Sequence, residues 1–406
     1  MTTDTTLEPT TPPRESFAQR FAGVSGNMRQ YGIFGALIAI VVLFQILTKG
    51  KLLLSNNVAA LFQQNAYVMI LAIGMVMVIV AGHIDLSVGS VVAFIGGIVA
   101  LAMRDLQLDW PVAVLIGLAV GLLVGMWQGF WVAYVGIPAF IVTLAGMLLF
   151  RGLAIVLVGE TVAGLPQGFI RISNGSLPAW LGYLDRADAV TLVIGAIAIV
   201  AMLISQLRAR ASLRKHELQV EPLGLFVAKV TVIAASIAAL AVVLSLSAGG
   251  TPIVLIIIGV LVVVYSFVMG RTVFGRHIYA IGGNRLAAGL SGVNTRRVDF
   301  WIFVHMGLLA SIAAIVTTSR AGAGVAAAGT MYELDAIAAC FIGGAAVTGG
   351  IGRISGAIVG ALIMGVLNMG LSIMAVDSAW QQAIKGLVLL AAVAFDLVNK
   401  RRAAGG

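Results

Sequence analysis

Apolar runs close to twenty residues long, parted by short polar breaks, recur from residue 31 almost to the C-terminus. A helix rises 1.5 Å per residue, so such runs match the roughly 30 Å hydrocarbon core of a bilayer. They fall at 31–48, 58–81, 86–103, 111–135, 138–158, 188–207, 224–247, 252–270, 299–319, 334–348, 352–374 and 380–399. The runs at 86–103 and 334–348 are short, and re-entrant or broken helices are expected there. A transmembrane β-barrel would instead alternate apolar and polar residues over segments of about ten, and the chain shows no such alternation. The pattern predicts an all-α polytopic membrane protein with about 10–12 transmembrane helices.

Composition agrees: 60% of the 406 residues are hydrophobic and 10% are charged, against about 25% charged in a soluble domain. The formal charge of +9 raises nucleic acid as a partner. The basic residues, however, sit in short loops and tails without interleaved aromatics, where orientation signals belong. With the N-terminus inside, fifteen basic residues between Arg14 and Arg402 face the cytosol. Six face the other side: Lys49, Lys51, Arg104, Arg171, Arg186 and Arg320. Basic loops favour the cytosol, so both termini are placed there, with the lipid bilayer and not nucleic acid as surroundings. Residues 1–30 are polar, carry Pro9, Pro12 and Pro13, and lack the apolar core of a signal peptide. They read as a disordered cytosolic tail, 31–400 as the membrane domain and 401–406 as a second tail. Cys340 is the lone cysteine, which leaves no disulfide framework.

Glycine is patterned. Gly117, Gly121, Gly125 and Gly129 recur every fourth residue, and Gly356 and Gly360 repeat the spacing. On a helix this makes a stripe that a second helix can approach closely. An internal echo accompanies it. Asp85 leads to Gly96 and Gly97 and then to the first stripe with Gln128, while Asp335 leads to Gly343 and Gly344 and then to the second with Asn368. Duplicated halves are common in transporters.

Intramembrane charge is rare here and therefore informative. Asp85 lies in Gly82-His-Ile-Asp-Leu-Ser-Val-Gly-Ser90, and Glu333 and Asp335 lie together further on; Arg151 and Lys385 complete the set. Asp85 and Ser87 can satisfy amides freed at a broken helix end, or they can line a solute path. The same two readings apply to Glu333, Asp335 and Asn368. The four histidines are too scattered for a local metal motif, so no metal or cofactor is assigned. Gly349-Gly-Ile-Gly-Arg353 is glycine-rich but lacks the lysine and preceding strand of a phosphate loop. Energy for transport is thus expected from a partner, and the chain is not read as an enzyme.

The cytosolic stretch 271–298 is where that partner would act. Asn284 can cap a short helix with Leu286 and Leu290 on one face, and Gly292 can end it. Such an amphipathic helix suits a groove on another subunit.

These residues carry a resemblance. Phe274-Gly275-Arg276-His-Ile-Tyr279-Ala-Ile-Gly282-Gly283-Asn284, followed by Arg285 and Leu290-Ser291-Gly292-Val-Asn294, resembles the coupling-helix segment of ribose- and xylose-type ABC importer permeases. Ile84-Asp-Leu-Ser-Val-Gly-Ser90 and Glu333-Leu-Asp-Ala-Ile-Ala-Ala339 with Ile342-Gly-Gly344 are similar to motifs of the same family. Pro138 to Met147 with Phe150-Arg-Gly152, and the extra spans 188–207 and 224–247, are similar to the xylose and multiple-sugar branch. The resemblance implies a homodimeric core in the bacterial inner membrane, with each protomer docked through 274–292 on an ATP-binding subunit. It also implies an extracytoplasmic sugar-binding protein, for which the outer loop 159–187 is the candidate dock. Two departures stand out. Leu286 and Gly289 occupy positions often charged in the family, which shifts docking toward apolar contact and Arg285, and His83 stands where Gly or Glu is more usual. The expected function is import of a monosaccharide, xylose or a related sugar; an ion-coupled secondary carrier and a neutral-solute channel are the alternatives.

Overall fold

A computed structural model describes residues 25–404 apart from 160 and 219. Most of the expected N-terminal tail, 1–24, and the last two residues of the C-terminal one lie outside the described residues. The helices in chain order are α1 (Ser25–Leu47), α2 (Ser55–Val80), α3 (Val88–Arg104), α4 (Trp110–Phe130), α5 (Ala139–Val158) and α6 (Gln167–Asn174). A two-residue ladder of β1 (Tyr183–Leu184) and β2 (Ala187–Asp188) leads to α7 (Ala189–Lys215), α8 (Leu223–Ser245) and α9 (Ile253–Arg271). Then come α10 (Val273–Gly283), α11 (Arg285–Leu290), α12 (Thr295–Ala321), α13 (Tyr332–Ile342), α14 (Ile354–Ile373) and α15 (Ser378–Ala404). Helix α1 starts inside the stretch read as a tail, and 401–404 continue α15.

Among the described residues, eight helices are long and apolar enough to cross a membrane: α2, α4 with its π-helical extension Trp131–Val135, α5, α7, α8, α9, α12 and α14. The chain is an all-α polytopic membrane protein. The most enclosed of these eight is α2, with 18 of its 26 residues buried from Val58 to Val80. It is wrapped by α12, α14, α13 and α9.

The first glycine stripe explains how closely α4 and α12 pack. A Cβ on Gly125 would lie 2.5 Å from the Phe303 carbonyl oxygen, and one on Gly129 would lie 2.8 Å from that of Phe300. Gly121 faces Gly307 and Ser311 on the same helix, and Gly117 turns toward Val99 of α3. The second stripe meets α13, with Gly356 against Gly343 and Gly360 against Ala339. Gly121, Gly125, Gly129, Gly356 and Gly360 each meet backbone atoms of the facing helix, where a side chain would hold the helices apart.

The α7–α8 pair is the most peripheral element. Its helices pack chiefly on each other, with Gly195 against Ala241, and leave Ile197, Val200, Leu225 and Val232 exposed. In water that surface would drive aggregation; in lipid it is a solvent-matched face. At its root Asp188 caps α7, accepting from the amide of Thr191 at 3.0 Å, and the Thr191 hydroxyl accepts from the amide of Thr251 at 2.9 Å.

Two of the expected spans are broken, and the breaks meet. After α2 the chain turns at Gly82 and runs without helix to α3, which has 17 residues. After α12 it descends through 322–331 before α13, which has 11. The expected span 334–348 therefore stops at Ile342, because Gly343 and Gly344 pass into a turn that continues through Gly349 and Gly350. Depth follows from Tyr67, the thirteenth of the 26 residues of α2, whose ring stacks on that of Tyr332 with centroids 3.5 Å apart. Helix α13 thus begins at the level of the middle of α2. There Gly89, in the first turn of α3, touches Gly329 backbone to backbone.

Candidate functional site

The junction of the two breaks gathers most of the intramembrane polar groups. One oxygen of the Asp85 carboxylate accepts from the amide of Ser87 at 2.8 Å and from its hydroxyl at 2.6 Å. Gln128 of α4 donates to the same hydroxyl at 2.6 Å, and Thr143 of α5 donates to the Ile84 carbonyl at 3.3 Å. Asp85 therefore fixes the turn that leads into α3 by holding Ser87, the N-cap residue, while no side chain bonds into the first turn of the helix. Its second oxygen is buried and has no hydrogen-bond partner.

Arg151 of α5 holds the descending segment, donating to the carbonyls of Ala326 at 2.9 Å and Ala328 at 2.8 Å. Glu333, half-buried in the first turn of α13, stands within electrostatic reach of Arg151, Asp335 and Asp85. Asp335 accepts from the Tyr67 hydroxyl at 2.7 Å and pairs with Lys385 of α15 at 3.2 Å. Asn368 of α14 donates to Asn65 of α2 at 3.0 Å, and its own side-chain oxygen is buried without a hydrogen-bond partner. The structure thus brings Asp85, Ser87, Glu333 and Asp335 to one region and leaves Asn368 at a helix contact. Carboxylates, phenols, an amide and a guanidinium are thus drawn together between apolar helices, with Asp85 and Asp335 buried.

A second cluster lies along the 271–298 ledge. Thr272 caps α10 by accepting from the amide of Gly275 at 3.1 Å. Asn284 caps α11 by accepting from that of Ala287 at 2.9 Å. The stretch is two short helices meeting at Asn284 where the sequence suggests one, because the Asn284 backbone is extended and closes the first helix as it opens the second. Gly292, with φ 85°, follows the last turn. Leu286 and Leu290 are 74% and 83% exposed, side by side on the outer face. Ser291 donates back to the Ala287 carbonyl at 2.9 Å. The inner face is anchored: the Tyr279 hydroxyl donates to the Gly352 carbonyl at 2.7 Å, and Gly282 lies against the Val80 carbonyl at the end of α2. The Gly350 amide donates to that carbonyl at 2.8 Å. The glycine-rich 349–353 turn is therefore the seat of α10 and α11. Gly275 sits against the carbonyls of Val268 and Met269, and Phe274 packs beside His305.

Arg285 is half-exposed and bonded on its protein side to α12. Its guanidinium turns inward and donates to one oxygen of Asp299 on α12, at 2.8 Å through Nη1 and 2.5 Å through Nη2. His83 meets the other oxygen at 3.0 Å. Asp299 and Tyr67 escape a site reading of the sequence, which singles out Arg151 and Lys385 as intramembrane charges and Gln128 only as part of the internal echo; the partners of all five lie far off in the chain.

On the opposite side α6 lies across the outer end of the bundle. The Ser173 amide donates to the Ser319 hydroxyl at 2.9 Å, and Asn174 donates to the Arg320 carbonyl at 3.1 Å. Beyond it Trp180, Leu181, Tyr183 and Leu184 are exposed within the 159–187 loop.

Residues 57–393 match the family described as branched-chain amino acid transport system / permease component. The chain is 41% identical to the xylose transport system permease protein of Escherichia coli (strain K12) over 386 residues, covering 94% of this chain and 95% of that protein. It is 38% identical to the xylose transport system permease protein of Haemophilus influenzae over 93% of this chain and 98% of the relative. To the ribose import permease protein of Escherichia coli (strain K12) it is 33% identical, over 90% and 94% respectively. No solved structure matches the chain.

Proposed function

From this chain's membership of the branched-chain amino acid transport system / permease component family, we propose that it is the membrane subunit of an ATP-driven importer for xylose or a related monosaccharide. The substrate rests on the relatives that transport xylose and ribose. The observation that carries the mechanism is the α10–α11 ledge. Leu286 and Leu290 stand out from a segment otherwise fastened to α2 and the 349–353 turn. Two leucines on one helical face fit a partner groove, and the fastened inner face would carry that partner's movement into the membrane.

In this reading the ATP-binding subunit docks on 274–292 and supplies the hydrolysis. Two copies of the chain form the core, and both termini face the cytosol. A sugar-binding protein delivers its cargo at the outer face, where 159–187 presents Trp180 and Tyr183. The sugar passes the junction of α3 and α13, with Glu333 and Asp335 offering hydrogen bonds. The midplane carboxylates also suit an ion-coupled secondary carrier, which often builds its site from broken helices. One experiment separates the two: reconstitution in liposomes with the ATP-binding subunit and the binding protein, measuring uphill xylose uptake. Uptake that needs all three proteins and ATP supports the importer. Uptake by this chain alone, abolished by an ionophore, would establish the carrier instead.

A further inference from the structure

His83 is the residue of the Gly82–Ser90 motif that the transport reading leaves without a task. It sits at the cytosolic mouth of the strap that joins α2 to α3. Its Nε2 lies 3.0 Å from one oxygen of Asp299 and 3.3 Å from the Arg285 guanidinium. Arg285, in the first position of α11, holds the other oxygen of Asp299 at 2.8 Å through Nη1. The Asp299 side chain is only 6% exposed and that of His83 14%. This is therefore not a solvated surface pair of the kind that contributes little. Three separate elements, the coupling helix, the base of α12 and the strap, converge on one carboxylate. We propose that Asp299 and His83 are positioning residues which make displacement of the coupling helix move the strap, and with it the start of α3 at the midplane.

The covalent and hydrogen-bonded route is short. Two residues beyond His83, Asp85 binds the amide and hydroxyl of Ser87, which Gln128 also holds. Two residues beyond Ser87, Gly89 touches Gly329 above Glu333. The strap carries no helix between Gly82 and Ser87, so it has no internal ladder to absorb a pull; between its ends the Thr143 hydroxyl reaches the Ile84 carbonyl at 3.3 Å. A clamp at the cytosolic end is what turns a motion of α11 into a motion of the junction. Without it α11 could move against a strap left in place. The parallel contacts of Tyr279 and Gly282 act on α2 and the 349–353 turn, so their integrity does not substitute for the clamp at α3.

The inference rests on the proposed importer, and its test keeps the two apart. The complex is assembled in liposomes with the ATP-binding subunit and the sugar-binding protein, and ATP hydrolysed and xylose taken up are measured together. Asp299→Ala and His83→Ala are expected to keep hydrolysis while uptake per ATP falls about tenfold, the size of an ordinary coupling energy. His83→Gln, which retains a donor toward Asp299, is expected to recover most of the ratio. A clamp that only holds the fold would instead lower complex yield, hydrolysis and uptake in parallel, and that pattern overturns the proposal. So would unchanged uptake per ATP in His83→Ala, or a His83→Gln complex as uncoupled as the alanine variant. If the unsubstituted complex shows no ATP-dependent uptake, the importer reading itself falls and the clamp with it.

Discussion

The sharpest demands in this chain are made by single atoms. Asp85 makes its hydrogen bonds to Ser87 through one oxygen, and the other is buried without a partner. Asparagine can present the same acceptor, so Asp85→Asn should leave thermal stability in detergent close to that of the parent. Asp85→Ala should lower it, by about 1.5–3 kcal/mol for hydrogen bonds lost from a charged group. Equal stability of the alanine variant would show that Ser87 and Gln128 hold α3 unaided. Uptake measured on the asparagine variant then reads the second oxygen: a stable protein that no longer transports would mean the charge serves the path. Glycine gives a parallel contrast. Gly125→Leu places a Cβ 2.5 Å from the Phe303 carbonyl oxygen, and separating α4 from α12 should cost at least the 1–3 kcal/mol typical of overpacking. Gly259→Ala on α9 meets nothing within 4 Å and should be harmless or slightly stabilising through helix propensity. Melting of the two purified variants decides it. The stripes were legible because glycine at every fourth position has few uses other than close approach. The clamp was not legible, since His83, though it departs from the family pattern, lies 216 residues from Asp299 and nothing beside it names that partner.

Among elements, the outcome depended on whether hydropathy or backbone contact sets the boundary. Helices α2, α4, α5, α9, α12 and α14 follow the apolar runs within a few residues, because a lipid-facing helix must satisfy its own backbone and only its length is free. Helix α13 does not follow its run. Residues 343–348 are as apolar as a span, yet Gly343 must lie against Gly356, and the chain leaves the helix to allow it. Position within the bundle also explains why α13 tolerates two acids. Asp335 is covered by Tyr67 and by Lys385 from α15, a partner 50 residues further on. Removing only the lysine strands a buried carboxylate, which is costlier than removing both charges. Lys385→Ala should therefore destabilise the protein more than Lys385→Ala combined with Asp335→Asn. If the double variant is the less stable of the two, the ion pair contributes net stability of its own. The α7–α8 pair is governed by lipid rather than by packing. Ile197, 62% exposed, should accept leucine or valine freely. Arginine there should reduce membrane insertion, by up to roughly 2.5–3.5 kcal/mol at a helix centre, read as the membrane-integrated fraction.

At the scale of the molecule, the passes alternate in a way that fixes which surfaces share a compartment. Helices α7 and α8 are joined near Leu218, and α9 follows α8, so the α10–α11 ledge shares a side with Leu218 and opposes the loop containing Trp180. The basic residues concentrate on the Leu218 side, which is the reason for placing it in the cytosol. The ATP-binding partner requires the same placement, since ATP is supplied there. The chain is well suited to the test because its one native cysteine, Cys340, is fully buried and should not react. Trp180→Cys and Leu218→Cys, each at an exposed position, report the two faces separately. In spheroplasts a membrane-impermeant maleimide should label Trp180→Cys and spare Leu218→Cys until the membrane is opened. The reverse pattern would turn the whole bundle over. It would put Leu286 and Leu290 outside, beyond reach of any cytosolic ATPase, and the coupling role of 274–292 would fall together with the count of basic residues that supports it.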